Sequence, residues 1–369
     1  MGGGALMQLI ASGAQDVYLT GNPQMTYFRA VYKRHTNFAV ESILQNTVGT
    51  LKQGSKFAVT IGRNGDLVKN IYVVIKRKAF KLEKDELKII QKLTLPDSYE
   101  EKSSGEVKRG VVIDVEATGL SIGYDDVIQL ALLPFEYELP SGKIIKVLKE
   151  EIYEGLREPN VPITEEATLI TGITNEMVKN KDIDNQAVEE IIGKANIIIA
   201  HNAFFDRPMV EQHWDCFKSL PWSCTFSSIN WLKEGFSSAK LELLGINFGW
   251  YYDGHTALND CEACLALLSE TLPITNQTVF NTCRQYAINK SYLIRAIDAP
   301  YDKRQLLRRR RYKWRPADKP NGKVWWTELS SFKEETMWLN SKIYDTRINI
   351  PIKEITALER YSDRIWEFD

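Results

Sequence analysis

Hydrophobic and polar positions divide the chain into three textures. Over residues 1–80, short alternating runs at 15–28, 56–61 and 70–76 predict β-strands. Turns at 21–23 and 63–66 separate them. Residues 81–109 are rich in Lys, Glu and Ser and predict a short polar helix over 81–88, then a linker. From Gly110 the apolar runs lengthen and begin to alternate in type. Val111-Val112-Ile113 opens a strand that runs into Asp114 and Glu116, and residues 126–135 form a second, buried strand. A third strand at 142–148 follows a turn at 139–142, so the two form a hairpin. Helices are predicted over 163–171, from 174, and over 187–194. A fully apolar strand follows at 196–200, then a helix starting at 201–206, a short one at 241–244 and a long one at 256–272. Three strands in a meander, then helix and strand in alternation, predict a mixed sheet flanked by helices.

Beyond 276 the pattern predicts helix through about Ile297. An aromatic hairpin follows, 311–315 against 323–327, with Asn321-Gly322 in its turn. Ser331 and Glu334 have capping-box spacing for a helix reaching about Tyr344. The domain boundaries predicted are therefore 1–80, 81–109, 110–275 and 276–369.

Composition changes this picture little. There are 47 Lys and Arg against 48 Asp and Glu, so no global polyanion-binding charge exists. Locally the balance is different: 301–325 holds ten basic residues and two acidic ones (Asp302, Asp318). Arg308, Arg309, Arg310 and Arg311 run together, with Tyr312, Trp314, Trp325 and Trp326 nearby. Such interleaving suits stacking and phosphate contacts on a single strand, against the plainer reading of a solvated helix face and a hairpin's own core. Five unpaired-looking cysteines predict a reducing compartment, and Cys261-x-x-Cys264, inside a helix, reads as buried packing rather than a zinc site. His201 reads as a structural hydrogen-bonding group, and His213 and Trp214 as packing. No apolar run approaches membrane-spanning length, and the first residues fit neither a leader peptide nor, with Leu6, a myristoylation site.

The chemistry lies in the acidic positions. In a strand, Asp114 and Glu116 point to one face, and two such carboxylates need a counter-charge. Asp206 follows the strand at 196–200, Asp260 lies early in the helix from 256, and His255 stands five residues ahead of it. Four carboxylates and one imidazole suit two divalent cations that stabilise both oxygens of a phosphoryl displacement, with the imidazole as base. Any one of these acids alone is an ordinary surface residue or cap; the ordered set is what carries the reading.

That set resembles the DEDDh branch of the 3′–5′ exonucleases, which includes polymerase III epsilon-like proofreading subunits. The motifs are Ile113-Asp-Val-Glu-Ala-Thr-Gly-Leu120, Gly172-Ile-Thr-Asn-Glu-Met-Val178, Ala200-His-Asn-Ala-Phe-Phe-Asp206 and His255-Thr-Ala-Leu-Asn-Asp-Cys-Glu-Ala263. The resemblance implies a ribonuclease H-like α/β fold over 110–275 and release of nucleoside 5′-monophosphates from a 3′ end. It implies two Mg2+, with Mn2+ as a substitute, on Asp114, Glu116, Asp206 and Asp260, and His255 as general base. It implies nucleotide contacts from Thr118, Gly119 and Leu120, with Asn202 and Phe205 lining the cleft. Single-stranded or 3′-ended nucleic acid is the implied partner, and a homodimer the implied assembly where relatives are followed.

A second resemblance covers 1–80. Gly13-Ala-Gln-Asp-Val-Tyr-Leu-Thr-Gly-Asn-Pro-Gln24, Val31-Tyr-Lys-Arg-His-Thr-Asn-Phe-Ala39 and Ile61-Gly-Arg-Asn-Gly-Asp-Leu67 resemble the start of the major capsid protein of large nucleocytoplasmic DNA viruses. A jelly roll needs eight strands, and 80 residues are too few for one, so the segment is a truncated β unit or arm. It implies capsid subunits as a second partner and the host cytoplasm or the virion as location. A virion-associated structural protein and a non-catalytic nucleic-acid-binding module are the competing functional classes.

Overall fold

The structure is a computed structural model. It describes residues 90–99 and 105–367, together with the backbone of two short strands, β1 (Thr47–Val48) and β2 (Ala58–Val59). The chain divides into two units, Met1–Lys81 and Leu82–Asp369. In the first, β1 and β2 pair antiparallel, β2 falling inside the run predicted at 56–61. The strands predicted at 15–28 and 70–76, the early turns and the helix at 81–88 lie outside the described residues.

The second unit is built on one mixed sheet. β3 (Gln91–Lys92) stands apart from it, pairing in parallel with β10 (Trp250–Tyr251). The main sheet comprises β4 (Glu106–Ala117), β5 (Val127–Leu139), β6 (Ile144–Val147), β7 (Tyr153–Leu156), β8 (Ile197–Ala200) and β9 (Trp222–Cys224). Its order is β6-β5-β4-β8-β9, with β7 sharing the outer edge of β5. β4 and β5 are antiparallel, whereas β4, β8 and β9 are parallel.

Alternation along β4 decides what lies on each side. Val111, Ile113, Val115 and Ala117 face one apolar cluster, and Val112 faces the other. The first cluster receives α3 (Asn185–Gly193) and α4 (Ala203–Glu211) through Val188, Ile192, Met209 and Val210. The second receives α5 (Leu241–Phe248), α6 (Ala257–Ser269) and α7 (Val279–Ile288) through Leu244, Leu265, Leu268 and Phe280. Asp114 and Glu116, two and four residues on from Val112, therefore belong to the face that α6 covers. Two short helices, α1 (Glu165–Thr171) and α2 (Asn175–Val178), sit in the crossover ahead of α3, each capped by the threonine before it.

Several expectations change here. The predicted linker is not free: Leu95 is buried, and Tyr99 N–H donates to the Ile145 carbonyl at 2.7 Å. The helix expected through Ile297 stops at Ile288, and β11 (Ser291–Ala296) follows. β11 is central in a second antiparallel sheet, β12-β13-β11-β14, made with β12 (Lys313–Arg315), β13 (Val324–Leu329) and β14 (Ile352–Ile355). The predicted aromatic hairpin is the β12–β13 pair, preceded by the short helix α8 (Arg304–Arg309). The helix predicted to about Tyr344 is α9 (Lys333–Trp338), continued by a π-helical turn over Leu339–Ile343; it starts from Phe332 without a side-chain cap, so Ser331 does not act as the predicted capping box. Among the described residues no helix is long and apolar enough to cross a membrane.

Candidate active site

Asp114 and Glu116 leave β4 at its C-terminal end. The pairing with β8 ends at Val112, level with Ile199, so β4 runs on past it, and the Val115 N–H donates to Asp206 Oδ1 at 3.3 Å. That bond fixes Asp206, in the first turn of α4, against the strand that carries the other two acids. Asp260 arrives from the opposite face, in the first turn of α6. Its Oδ1 accepts from the Tyr252 hydroxyl at 2.7 Å and its Oδ2 from the His255 N–H at 2.9 Å. The start of α6 is itself held by Gln129, which lies opposite Glu116 in the β4–β5 ladder and accepts from the Ala257 N–H at 3.2 Å.

Carboxylate oxygens of Asp114, Glu116 and Asp260 lie within 4.8 Å of one another. Burial holds Asp114 well above the usual carboxylate range, and the charges of Asp206, Asp260 and Glu116 push it further. Burial and then Asp260 raise Glu116 to about 7. Burial raises Asp206 to about 8 against the opposing pull of the Val115 N–H. The second oxygen of Asp206 is buried with no hydrogen-bond partner. Four crowded acids and an unpartnered buried oxygen are what an all-oxygen site for a small divalent cation requires, because the cation removes both penalties together. The residues present fit such an ion.

His255 is placed differently from its expected role. Its main chain braces Asp260, at a left-handed φ of 72°, while its ring is exposed with Nε2 3.8 Å from Glu242 Oε1. Thr118 also departs from expectation. Its hydroxyl donates to Asp125 Oδ1 and accepts the Asp126 N–H, and its side chain is buried, so it closes the 118–126 loop rather than facing open space. A Cβ at Gly119 would come to 2.5 Å from the Asp125 carboxylate, which Thr118 and the Ser121 N–H hold in place. Leu120 is 82% exposed at the rim, Asn202 is exposed at the start of α4, and Phe205 is half-buried against the α3–α4 cluster.

The basic run is only partly free. Arg310 binds Glu335 through Nε at 2.9 Å and lies over Trp338, and Arg308 lies over Trp325. Arg309, Arg311 and Trp314 remain exposed. Trp314 packs against its cross-strand partner Trp325 at 5.3 Å, and Trp326 packs edge-on against Trp366, so part of the aromatic set is packing within and beside the hairpin. His201 makes the structural hydrogen bond expected of it, to the Thr225 hydroxyl at 2.7 Å, and burial lowers it to about 4. Trp214 is buried and His213 packs edge-on against it at 5.2 Å, as expected, while His213 also joins Arg157 and Asp126 in a polar cluster. Cys261 and Cys264 are buried, Cys261 donating to the Val112 and Ala131 carbonyls. Tyr252 and Gln129 were not singled out from the sequence; only strand register and loop path bring them to the acids.

Residues 111–268 match the family model described as exonuclease, and 26–87 match that described as the major capsid protein N-terminus. The major capsid protein of Pyramimonas orientalis virus is 58% identical over 71 residues, which are 19% of this chain and 18% of that protein. A PolC-type DNA polymerase III of Halalkalibacterium halodurans is 37% identical over 99 residues, 26% of this chain and 6% of the polymerase. The chain thus spans less than a fifth of either relative. A solved exonuclease I aligns over 70% of this chain and 66% of its own at 16% identity, with a TM-score of 0.40. The mixed sheet flanked by helices is the ribonuclease H-like arrangement that the motifs implied.

Proposed function

We propose that the chain is a divalent-metal-dependent 3′–5′ exonuclease that hydrolyses phosphodiester bonds of DNA or RNA and releases nucleoside 5′-monophosphates. The observation that carries this reading is the acidic cluster: Asp114, Glu116 and Asp260 within 4.8 Å, beside the unpartnered buried oxygen of Asp206. These four residues would hold two ions, Mg2+ or Mn2+. Such ions supply charge stabilisation to the attacking and leaving oxygens of an in-line displacement. Leu120, exposed at the rim, offers an apolar surface to the terminal base. His255 takes the proton of the attacking water once its ring turns away from Glu242 and toward the acids, and the 3′ oxygen of the preceding nucleotide leaves.

The test is turnover of end-labelled single-stranded DNA and RNA by purified protein with Mg2+. Asp114→Ala should lower the rate roughly a thousandfold, as expected for the loss of several kcal/mol of transition-state stabilisation. Equal rates for wild type and variant would end the assignment. Binding without turnover on any substrate would favour a non-catalytic module.

A second reading rests on the capsid-like match at 26–87. In it that segment docks on capsid subunits and carries the nuclease unit into the virion of a large DNA virus. Proteomics of purified particles decides it: peptides from 82–369 in the particle support carriage, and their absence rejects it.

A further inference from the structure

The groove beside the acids points to a route for the nucleic-acid strand. β4, β8 and β9 are parallel, with Val112 level with Ile199 and Ile199 level with Ser223. β8 and β9 therefore end just before His201 and Thr225, level with Asp114 of β4, which runs on beside β5. Ligands of open α/β sheets gather outside such strand ends. At about 4.8 Å per strand, Phe226 emerges about 10 Å along this edge from the acidic strand. Its N–H donates to the His201 carbonyl at 3.0 Å, two residues before the start of α4.

A groove of about 500 Å3 opens there, lined by Phe226, Asn230, Leu232, Ser237, Tyr286 and Arg311 among others. Phe226 is 46% exposed and Leu232 73%, an apolar surface that nothing in the chain covers among the described residues. No carboxylate lines it, and its single charge is Arg311. A comparable cavity of about 590 Å3, beside Gln129, is lined by Glu154, Asp182 and Asp184, with Lys181 the only cation. A polyanion leaving the acids is repelled by the second cavity and accepted by the first. The basic hairpin also reaches this side: Lys313 Nζ lies 5.0 Å from the Phe204 ring centre, on the helix that carries Asp206.

We infer that the groove holds the single strand upstream of the scissile bond, with a base stacked on Phe226 and a backbone phosphate on Arg311. Flat aromatic surface, hydroxyl and amide groups and one guanidinium are what a single strand of any sequence recruits. The inference rests on the nuclease reading for its direction, but its binding is measured without turnover.

The experiment uses the full chain without divalent ion and a fluorescently labelled single-stranded oligodeoxynucleotide, read by anisotropy. Phe226→Ala should weaken binding about tenfold, as for the loss of one stacked base, and Phe226→Trp should restore it. Arg311→Glu should weaken binding and lower the salt slope by about one. With Mg2+, both variants should raise KM for the long oligonucleotide and leave a dinucleotide unchanged. Binding unaffected by either variant, no binding by wild type, or equal effects on both substrates would overturn the groove. Weakened binding alongside a wild type that never turns over would instead reject the nuclease reading and leave the groove standing.

Discussion

Asp114, Glu116, Asp206 and Asp260 oppose folding whenever they ionise without a counter-ion. Glu116 rises from 4.5 to about 7 and Asp206 from 3.8 to about 8, in both cases first through burial. Between those values the native state holds protons that the unfolded chain has lost, so stability falls as pH rises. Metal-free protein should therefore melt at a lower temperature at pH 8 than at pH 5, and Glu116→Gln should flatten that slope. A Mg2+ titration should raise the melting temperature more at pH 8 than at pH 5; no difference would mean the acids do not bind the ion. Tyr252 acts on the same group from outside. Without its hydroxyl, Asp260 Oδ1 loses its 2.7 Å donor. Tyr252→Phe should weaken apparent Mg2+ affinity by about 10–100-fold, as for other groups that orient a ligand, with the rate at saturating ion largely retained. The acids were legible in the sequence because type and spacing together are rare. Tyr252 and Gln129 were not, because a tyrosine in a loop and a glutamine in a strand have no distinguishing pattern until register places them.

Among elements, the long ones were legible and the short ones were not. β4, β5 and α6 each carry an apolar run long enough to mark the element. β7 has four residues, none fully buried, and exists because the β5 edge offers hydrogen bonds from Gln129 to Leu132. The sequence predicts helix where β11 stands because Tyr292-Leu293-Ile294 follows a true helix, and a short apolar run has no period to distinguish the two. Its Leu293 and Ile294 are fully buried in separate clusters on its two sides, which the sheet partners β13 and β14 impose. β4 also depends on a residue that reads as neutral. Gly110 lies opposite Phe135, and a Cβ there would come within 2.3 Å of the ring. Gly110→Val should cost about 1–3 kcal/mol by overpacking, seen as a lower denaturant midpoint with an unchanged slope. A midpoint equal to wild type would mean that the Phe135 ring yields freely.

At the scale of the molecule, residues 276–369 read as an extension and are built as part of the core. Phe280 packs edge-on against Phe135 at 5.3 Å and Tyr137 at 4.8 Å, on the face of β5 that begins the second cluster. Trp222, at the outer strand, donates its backbone N–H to the Ala357 carbonyl, and Tyr361 is buried among the α3–α4 cluster. Two buried guanidinium groups fasten the rest. Arg207, on the helix that carries Asp206, donates to the carbonyls of Ala357, Leu358 and Arg360 and pairs with Glu211. Arg360 donates to Glu328, to the Tyr286 and Asn289 carbonyls and to the Ser291 hydroxyl. Cutting after Thr275 removes every one of these partners except Glu211. It strands Arg207 as a buried charge missing its three carbonyl acceptors and bares the Phe135 and Tyr137 faces. Leaving a buried donor without its acceptor costs about 1–3 kcal/mol, and more for a charged donor, so three such losses approach the whole stability of a small domain. Residues 82–275 should therefore lack a cooperative melting transition and bind a hydrophobic dye, while 82–369 melts cooperatively. A sharp transition from 82–275 would show instead that the acidic site stands on its own sheet, and that the basic hairpin is a separable module.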